Sequence, residues 1–272
     1  MLGKVTTHKI RMMKQDGRKI VMLTAYDTPT ARILSKCGVD IILVGDSVGN
    51  VLLGYDSTIP VTLDDVIYHC AAVARARPNS LIVGDMPFMS CKISREQALR
   101  NCTRMIQEGG AEAVKIEGGS LVVPIVRDVV DAGIPVMGHI GFTPQSIHEF
   151  GGHRVQGRTR EAAESLVLQA KALEDAGVFS IVIELVPHET ARRITESVSV
   201  PTIGIGAGPY CDGQVLVLWD MLGLEEFRPR FLKRYAEIGK TIADAVTRFS
   251  DEVRSGVFPD LDHSFEMDVD QS

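Results

Sequence analysis

Short apolar segments alternate with helical patterns along most of the chain, and this alternation is the strongest constraint on its fold. Seven segments are nearly continuous in apolar residues, as is typical of strands buried on both faces of a parallel sheet. They lie at 20–25, 40–46, 80–85, 113–117, 135–140, 179–185 and 201–205. The segment 215–220 is a weaker candidate for an eighth strand. The intervening helical patterns, two of which begin at the capping residues Thr62 and Ser94, predict βα units joined by right-handed crossovers.

Seven or eight such units in a chain of 272 residues favour a closed (β/α)8 TIM barrel, which typically needs about 250 residues. An open, doubly wound sheet is the alternative, and it usually has a glycine-rich turn after its first strand. Here the first strand continues into Ala25-Tyr-Asp-Thr-Pro-Thr, which contains no glycine. The sequence has no linker rich in Pro, Gly or Ser, so we expect residues 1–272 to form a single domain.

Three segments lie outside the repeated units. Residues 6–15 predict a short helix that closes the N-terminal end of the barrel, and residues 228–255 predict a long amphipathic helix. One face of the long helix is formed by Phe231, Tyr235, Ile238, Ile242 and Val246. Residues 260–272 are mostly acidic and polar, which predicts a flexible tail.

Charge and composition exclude several classes of protein. The net charge of −6 argues against binding to nucleic acid. No apolar run approaches the roughly 18 residues of a membrane span, and the first ten residues contain no apolar core of a signal peptide. The five cysteines form no C-x-x-C pair and are odd in number, which is typical of free thiols in a reducing cytoplasm. We therefore expect a cytoplasmic protein.

Ionisable residues end five consecutive predicted strands, where the active sites of TIM barrels lie. These residues are Asp46, Asp85, Lys115 with Glu117, His139 and Glu184. Residues two apart on a strand share a face, so Lys115 and Glu117 point the same way. Carboxylates grouped inside a barrel need a counter-charge, and a hard divalent cation such as Mg²⁺ supplies one. The alternative is that each carboxylate is an ordinary strand-end or capping residue, and that His139 is a packed, hydrogen-bonded histidine.

Six segments give the sequence a close resemblance to a known family. They are Leu23-Thr-Ala-Tyr-Asp, Gly45-Asp-Ser-Val-Gly-Asn, Gly84-Asp-Met-Pro-Phe, Ala113-Val-Lys-Ile-Glu-Gly-Gly, Gly138-His-Ile-Gly-Phe-Thr-Pro-Gln and Gly204-Ile-Gly-Ala-Gly. From about residue 4 to 255 the sequence resembles the ketopantoate hydroxymethyltransferase (3-methyl-2-oxobutanoate hydroxymethyltransferase) family. The resemblance implies a TIM barrel of the phosphoenolpyruvate/pyruvate superfamily, commonly assembled as a homodecamer.

The resemblance also implies a reaction. A hydroxymethyl group passes from 5,10-methylenetetrahydrofolate to 3-methyl-2-oxobutanoate, which gives 2-dehydropantoate on the route to pantothenate through an enolate stabilised by Mg²⁺. The matching positions assign Asp46, Asp85 and Glu117 to the Mg²⁺ site.

Other matching positions have roles toward the oxo acid. The resemblance implies that Ser47 and Lys115 contact it and that Glu184 accepts the proton. Asp46, Asp85 and His139 are further candidates for substrate binding. The folate cosubstrate follows from the resemblance alone.

Two other functions are compatible with the same barrel. One is a related Mg²⁺-dependent 2-oxo-acid lyase or phosphonomutase, although the K-K-C-G-H loop of isocitrate-lyase-like enzymes is absent; the nearest match is Ser90-Cys-Lys-Ile-Ser. The other is a barrel that senses a metabolite without catalysis. A sensor has no need of a base opposite the metal, so Glu184 argues against it.

Overall fold

A computed structural model describes residues 3–267 of the chain. Its eight strands are β1 (Ile20–Thr24), β2 (Ile41–Val44), β3 (Leu81–Asp85), β4 (Ala113–Glu117), β5 (Val136–Gly141), β6 (Ser180–Glu184), β7 (Thr202–Ile205) and β8 (Gly213–Leu216). All are parallel, each pairs with the next, and β8 pairs with β1, so the barrel is closed. The predicted TIM barrel is thereby confirmed.

Eleven α-helices occur in residues 3–267, and most of them lie between consecutive strands in the sequence. They are α1 (Thr7–Gln15), α2 (Thr28–Lys36), α3 (Val48–Val51), α4 (Leu63–Ala74), α5 (Arg95–Gln107), α6 (Val123–Asp131), α7 (Ile147–Phe150), α8 (Arg160–Asp175), α9 (His188–Ser197), α10 (Leu218–Leu222) and α11 (Ile238–Ser255). Short 3-10 helices occur at Ser120–Val122, Pro144–Ser146 and Leu261–His263. No helix in residues 3–267 is both long and apolar enough to span a membrane.

The local sequence explains where the main helices begin. Thr62 accepts a hydrogen bond from the backbone of Asp65, and Asp65 returns one to the backbone of Thr62, so α4 starts with the capping box that the sequence predicts. Ser94 caps α5 in the same way through the backbone of Gln97, but without a reciprocal bond.

The predicted N-terminal helix is present and belongs to the barrel core. Ile10 and Met13 of α1 are fully buried in a cluster with residues from the first half of the strands, such as Ile20 and Ile41. These strand residues lie at the N-terminal end of the barrel. Helix α1 therefore closes that end and leaves the opposite mouth for chemistry.

The last predicted strand needs correction. The strand expected at 215–220 begins at Gly213 and ends at Leu216, and Leu218–Leu222 is the helix α10. Gly213 lies so close to the Ile20 carbonyl that a Cβ would be 2.5 Å from its oxygen, which explains a glycine in this strand. A strand that begins with Gly and Gln has no β-propensity signal at its start.

The chain divides into two compact units. The first contains the barrel, residues 3–218, together with Pro229–Leu232, and the second contains Trp219–Arg228 and the residues from Lys233 onward. Two compact units can still belong to one folding domain, so the single domain expected from the sequence stays a prediction. Part of the predicted tail forms the turn Leu261–His263, and residues 268–272 lie outside the described part.

The predicted helix 228–255 is ten residues too long at its N-terminal end. It begins at Ile238, so Phe231 and Tyr235 precede it. Pro229 breaks the helical pattern, and the Arg234 side chain bonds the backbone carbonyl of Phe227, which favours an irregular segment. None of the residues of α11 is buried.

Candidate active site

Three carboxylates from neighbouring strands meet at the carboxyl-terminal mouth of the barrel. Asp46 follows β2, Asp85 ends β3 and Glu117 ends β4. Each offers an oxygen atom that lies within 4.8 Å of those of the other two, and all three residues are buried. The backbone N–H of Asp46 also donates to Asp85 Oδ2 over 3.3 Å. The arrangement is one that could hold a metal ion.

The register of the barrel explains why these residues meet. Asp85 is paired with Lys115 across β3 and β4, and Glu117 is paired with His139 across β4 and β5. Ionisable residues therefore stand side by side around the mouth. Lys115 and Glu117 both point inward, as their spacing predicts, because their side chains meet within the buried cluster at 3.3 Å.

Lys115 supplies the ammonium group that contacts these carboxylates. Its Nζ lies 2.8 Å from Asp85 Oδ1 and 3.3 Å from Glu117 Oε1, and its side chain is 5% exposed. Burial lowers the pKa of this amine, but the charges of Asp85, Glu117 and Asp46 outweigh it and raise the pKa above its ordinary value. Lys115 is therefore a permanent cation at neutral pH.

One ammonium does not balance three carboxylates. Burial raises the pKa of the Asp46 carboxyl well above its ordinary value, and the negative charges of Asp85 and Glu117 raise it further. Burial also raises the pKa of Asp85, although Lys115 opposes this effect. The excess of buried negative charge makes this group of oxygens a fit for a hard divalent cation.

His139 joins the carboxylate cluster to Glu184. Its Nδ1 lies 3.3 Å from Glu117 Oε1, and its Nε2 lies 3.2 Å from Glu184 Oε2, in a direction too oblique for a good hydrogen bond. Burial and Lys115 lower the pKa of the ring, but Glu117 and Glu184 outweigh them and raise it to about 9. Burial raises the pKa of Glu117, but Lys115 and His139 outweigh it and lower the pKa to about 2.

Glu184 lies on the far side of His139 from the three carboxylates and does not belong to their group. Its side chain is 16% exposed, against 1% for Glu117. The preceding strand, β5, places Gly141 opposite Glu184, and a Cβ on Gly141 would lie 2.3 Å from the Glu184 carbonyl oxygen. Because its φ is +93° and the two strands approach closely here, this position requires glycine.

Ser47, the remaining predicted site residue, lies directly after Asp46 and immediately before the short helix α3. Its Oγ is 2.8 Å from the hydroxyl of Tyr26, which is almost fully buried. His69 Nδ1 in turn lies 2.8 Å from the Tyr26 carbonyl oxygen. Sequence reasoning missed Tyr26, although it belongs to the segment Leu23-Thr-Ala-Tyr-Asp that carries the family resemblance.

Gln145 is the second residue that sequence reasoning missed. Its side-chain amide donates to Asp46 Oδ2 and to the Met86 carbonyl, each over 3.0 Å, and its backbone N–H donates to Glu117 Oε2 over 3.2 Å. The residue is buried, although it belongs to the long connection after β5. Gln145 therefore contacts two of the three carboxylates, those of Asp46 and Glu117. The available signal was its place at the end of the segment Gly138-His-Ile-Gly-Phe-Thr-Pro-Gln.

Solved structures with a similar barrel share little sequence with this chain. A phosphonomutase-like protein from Burkholderia cenocepacia has a TM-score of 0.65 at 13% identity, covering 89% of this chain and 99% of that one. A 2,3-dimethylmalate lyase, of the PEP mutase/isocitrate lyase superfamily, has a TM-score of 0.60 at 16% identity, with 96% and 91% covered. A phosphonopyruvate hydrolase solved with oxalate and Mg²⁺ has a TM-score of 0.59 at 12% identity, with 95% and 93% covered. These similarities support the fold.

Sequence comparisons give much closer relatives. The 3-methyl-2-oxobutanoate hydroxymethyltransferase of Thermoanaerobacter sp. strain X514 is 56% identical over 269 residues, which cover 98% of each chain. The enzyme of that name from Pelobacter propionicus is 58% identical over 266 residues, or 97% of this chain and 98% of its own. The family profile described as ketopantoate hydroxymethyltransferase matches residues 4–261. The chain therefore belongs to the ketopantoate hydroxymethyltransferase family.

Proposed function

We propose that this protein transfers a hydroxymethyl group from 5,10-methylenetetrahydrofolate to 3-methyl-2-oxobutanoate and forms 2-dehydropantoate, a precursor of pantothenate. Relatives with this enzyme name are more than half identical over nearly the full chain. The observation that carries the proposal is the buried group of three carboxylates beside Lys115, with Glu184 on the opposite side of His139. This arrangement offers one small substrate positive charge, from Lys115 and a cation held by the carboxylates, and a base, Glu184.

The three carboxylates suit Mg²⁺ by their chemistry. Asp46, Asp85 and Glu117 offer oxygen atoms only, and their buried negative charge exceeds that of Lys115. When bound, the cation would polarise the keto group of the oxo acid and stabilise the charge that develops on its oxygen. These three residues would hold the cation.

Lys115 and Ser47 supply the remaining polar contacts to the oxo acid. The Lys115 ammonium is fixed by Asp85 and Glu117 before substrate binds, so no reorganisation is needed when negative charge develops on the substrate. Ser47 is oriented by the hydroxyl of Tyr26. Family resemblance assigns both residues to the oxo acid, and their position beside the carboxylates supports that assignment.

Glu184 removes the proton from carbon 3 of the oxo acid as a general base. Its carboxylate lies at the mouth, is partly exposed, and is separated from the other carboxylates by the His139 ring. His139 Nε2 lies 3.2 Å from Glu184 Oε2 and offers this carboxylate a positive charge when the ring is protonated. The resulting enolate carbon forms a bond to the methylene carbon of the donor; both C–N bonds of that carbon break, water supplies the hydroxyl oxygen of the product, and tetrahydrofolate leaves.

The proposal is tested by measuring consumption of the oxo acid with and without the folate donor. We expect stoichiometric formation of 2-dehydropantoate only with the donor and a divalent cation. Cleavage of a 2-oxo acid or rearrangement of a phosphonate in place of transfer would support the lyase or phosphonomutase alternative. Binding of the oxo acid without turnover or proton exchange would support a sensor.

The assembly and the location of the protein are also proposals. Family resemblance suggests a homo-oligomer, and more specifically a homodecamer. The odd number of cysteines without a C-x-x-C pair suggests the cytoplasm. Apolar side chains on α11 such as Ile242, Val246 and Phe249 are about half exposed, which supports association. Sedimentation at micromolar concentration tests this, since a monomer would contradict the oligomer.

A further inference from the structure

Leu185, the residue directly after the proposed base Glu184, has a backbone conformation that leucine rarely adopts. Its φ is +45°, in the left-handed region, where the Cβ of an L-residue lies too close to a carbonyl oxygen. Within residues 3–267, Arg77 and Met89 are the other residues except glycine with a positive φ. Such conformations persist where the surrounding structure imposes them, and they concentrate at functional sites. A strained residue beside Glu184 therefore indicates a constraint on the base.

Hydrogen bonds to two other parts of the barrel impose this conformation. The Leu185 N–H donates to the carbonyl of Ile205, at the end of β7, over 2.9 Å. The Leu185 carbonyl accepts from the N–H of Gln156 over 2.9 Å, and the Glu184 carbonyl accepts from that of Phe142 over 2.8 Å; both donors belong to the connection after β5. In an extended strand, the N–H and the carbonyl of one residue point to the same side. Here they point to different neighbours, so residue 185 is not extended.

The glycine-rich turn after β7 leaves room for the segment that follows the base. A Cβ at Gly206 would lie 2.7 Å from Leu185 Cδ2, and a Cβ at Gly208 would lie 2.3 Å from the Cβ of His188. Both glycines also have a positive φ, of +62° and +78°. The turn therefore packs directly against residues 185–188. This packing explains two glycines of the segment Gly204-Ile-Gly-Ala-Gly, and it holds Leu185 from the β7 side.

The Glu184 carboxylate has weaker support from side chains than the carboxylates of the metal side. In the described part of the chain, it contacts His139 Nε2 at 3.2 Å, too obliquely for a good hydrogen bond. Glu117, by comparison, contacts the Lys115 ammonium, the His139 ring and the backbone N–H of Gln145. A catalytic group has to be held within about 0.5 Å of its productive position. The direction of the Glu184 side chain therefore depends on the backbone that carries it.

We propose that Leu185 is a positioning residue, whose left-handed backbone fixes the end of β6 so that the Glu184 carboxylate points toward the oxo acid. The inference rests on the proposed function, and it adds what aims the base. Glu184 keeps its strand register with Gly141 and Ile205, and the chain leaves the barrel at the next residue. The strain at Leu185 is thus located where the strand has to end without any displacement of its last side chain.

The test measures exchange of the carbon-3 proton of 3-methyl-2-oxobutanoate with deuterium, followed by NMR without any folate and titrated with Mg²⁺. Leu185→Val introduces a β-branched side chain, which the left-handed region disfavours most. We expect the plateau rate at saturating Mg²⁺ to fall about 10- to 100-fold, as for a displacement of about 1 Å, with an unchanged Mg²⁺ midpoint. Leu185→Gly adopts a positive φ freely and should exchange about tenfold faster than Leu185→Val.

Arg77→Val is the matched control. Arg77 also has a positive φ, of +49°, but it is exposed and precedes β3, at the end of the barrel opposite the mouth. Denaturant unfolding should show a loss of stability in this variant too, with exchange at the parental rate. Should Leu185→Val fail to fold, Gly206→Ala presses on Leu185 from the turn after β7 and should also slow exchange. Its control is Gly133→Ala, where the Cβ meets nothing within 4 Å.

The outcomes separate this inference from the proposed function. Absence of exchange in the parent would refute the proposed oxo-acid chemistry, and the role of Leu185 with it. Parental exchange in Leu185→Val would refute the role of Leu185 and leave the proposed function standing. Equal slowing in Leu185→Gly and Leu185→Val would contradict a role of the backbone conformation. A shifted Mg²⁺ midpoint in Leu185→Val would also contradict the inference, because the effect would then lie on the metal side.

Discussion

The two sides of the barrel mouth contain the same type of side chain in different surroundings. At the ends of β2 to β4, Asp85 and Glu117 are at most 2% exposed and lie in contact with the Lys115 ammonium. At the end of β6, Glu184 is 16% exposed, and its contact is with the His139 ring. The first side concentrates negative charge, and the second presents one carboxylate to the opening.

This difference separates binding from proton transfer. Closely grouped carboxylates repel one another and are stabilised by a cation, so they are suited to hold a metal. A single, partly exposed carboxylate is free to accept a proton from a substrate and to release it to water. Substitutions on the two sides should therefore affect different measurements, and four predictions test that separation.

The largest effect is expected for Asp85→Asn, which removes one of the three carboxylates without a change of volume. We expect loss of Mg²⁺-dependent turnover by about 10³-fold or more, because several kcal/mol of charge stabilisation at the keto oxygen disappear. Equilibrium dialysis should show weaker Mg²⁺ binding. Asp64→Asn is the control, because Asp64 pairs with Arg104 on the exposed surface. Full activity of parent protein treated with a chelator would contradict a metal at this site.

Glu184→Gln should leave metal binding unchanged and slow proton removal. We expect deuterium exchange at carbon 3 of the oxo acid to slow about 10²- to 10⁴-fold, the usual contribution of a general base. NMR measures this rate directly, and dialysis measures the retained Mg²⁺ affinity. Exchange at the parental rate would assign the base role to another residue, with His139 the first to examine.

Gln145→Ala should have an intermediate effect, and it should act on the metal side. The substitution removes the amide that holds Asp46, while the backbone bond to Glu117 is retained. We expect Mg²⁺ affinity to fall about 10- to 100-fold, as is usual when a partner that orients a ligand is lost. A titration of exchange rate against Mg²⁺ should show a shifted midpoint with little change in the plateau. A lower plateau at an unchanged midpoint would mean that Gln145 acts on the substrate.

The smallest effect on the chemistry is expected for Gly141→Ala, which tests the packing that brings β5 next to Glu184. Gly133 has a similar positive φ of +88°, but a Cβ there would meet nothing within 4 Å. Gly133→Ala should therefore cost only about 1 to 2 kcal/mol of unfolding free energy for its backbone conformation. Gly141→Ala should cost more, because the Cβ also meets the Glu184 carbonyl at 2.3 Å. Denaturant unfolding compares the two, and equal costs would contradict a steric role.

The sequence predicted the residues of the mouth that lie on strands or directly after them. Asp85, Lys115 and Glu117 end apolar strands, and the alternation of a strand fixes which side chains point inward. Gln145 and Tyr26 escaped because they lie in connections, where no periodicity shows which polar side chain turns inward. Their roles depend on contacts with residues far along the chain, such as Asp46 and Ser47.

The errors at the C-terminal end have a similar cause. The pattern of apolar residues suggested that the helix starts near residue 228, but a pattern reports only which side chains would share a face. Two hydrogen bonds compete with helix formation here. The Arg234 side chain donates to the Phe227 carbonyl, and the Tyr235 N–H donates to the Met221 carbonyl. The start of β8 was missed for a similar reason. Gly213 has no strand signal of its own, and the lack of room beside Ile20, which explains the glycine, is a tertiary contact.

The excess charge of Asp46, Asp85 and Glu117 also links folding to the supply of cations. A cation that binds the folded barrel but not the unfolded chain adds about 1.4 kcal/mol of stability for each tenfold excess over its Kd. The melting temperature of this protein should therefore rise with free Mg²⁺, even without substrate. A newly made chain in a cation-poor medium would unfold, and be degraded, more readily than the same chain in a cation-rich one. The proposed metal site would thus also influence how long the protein persists.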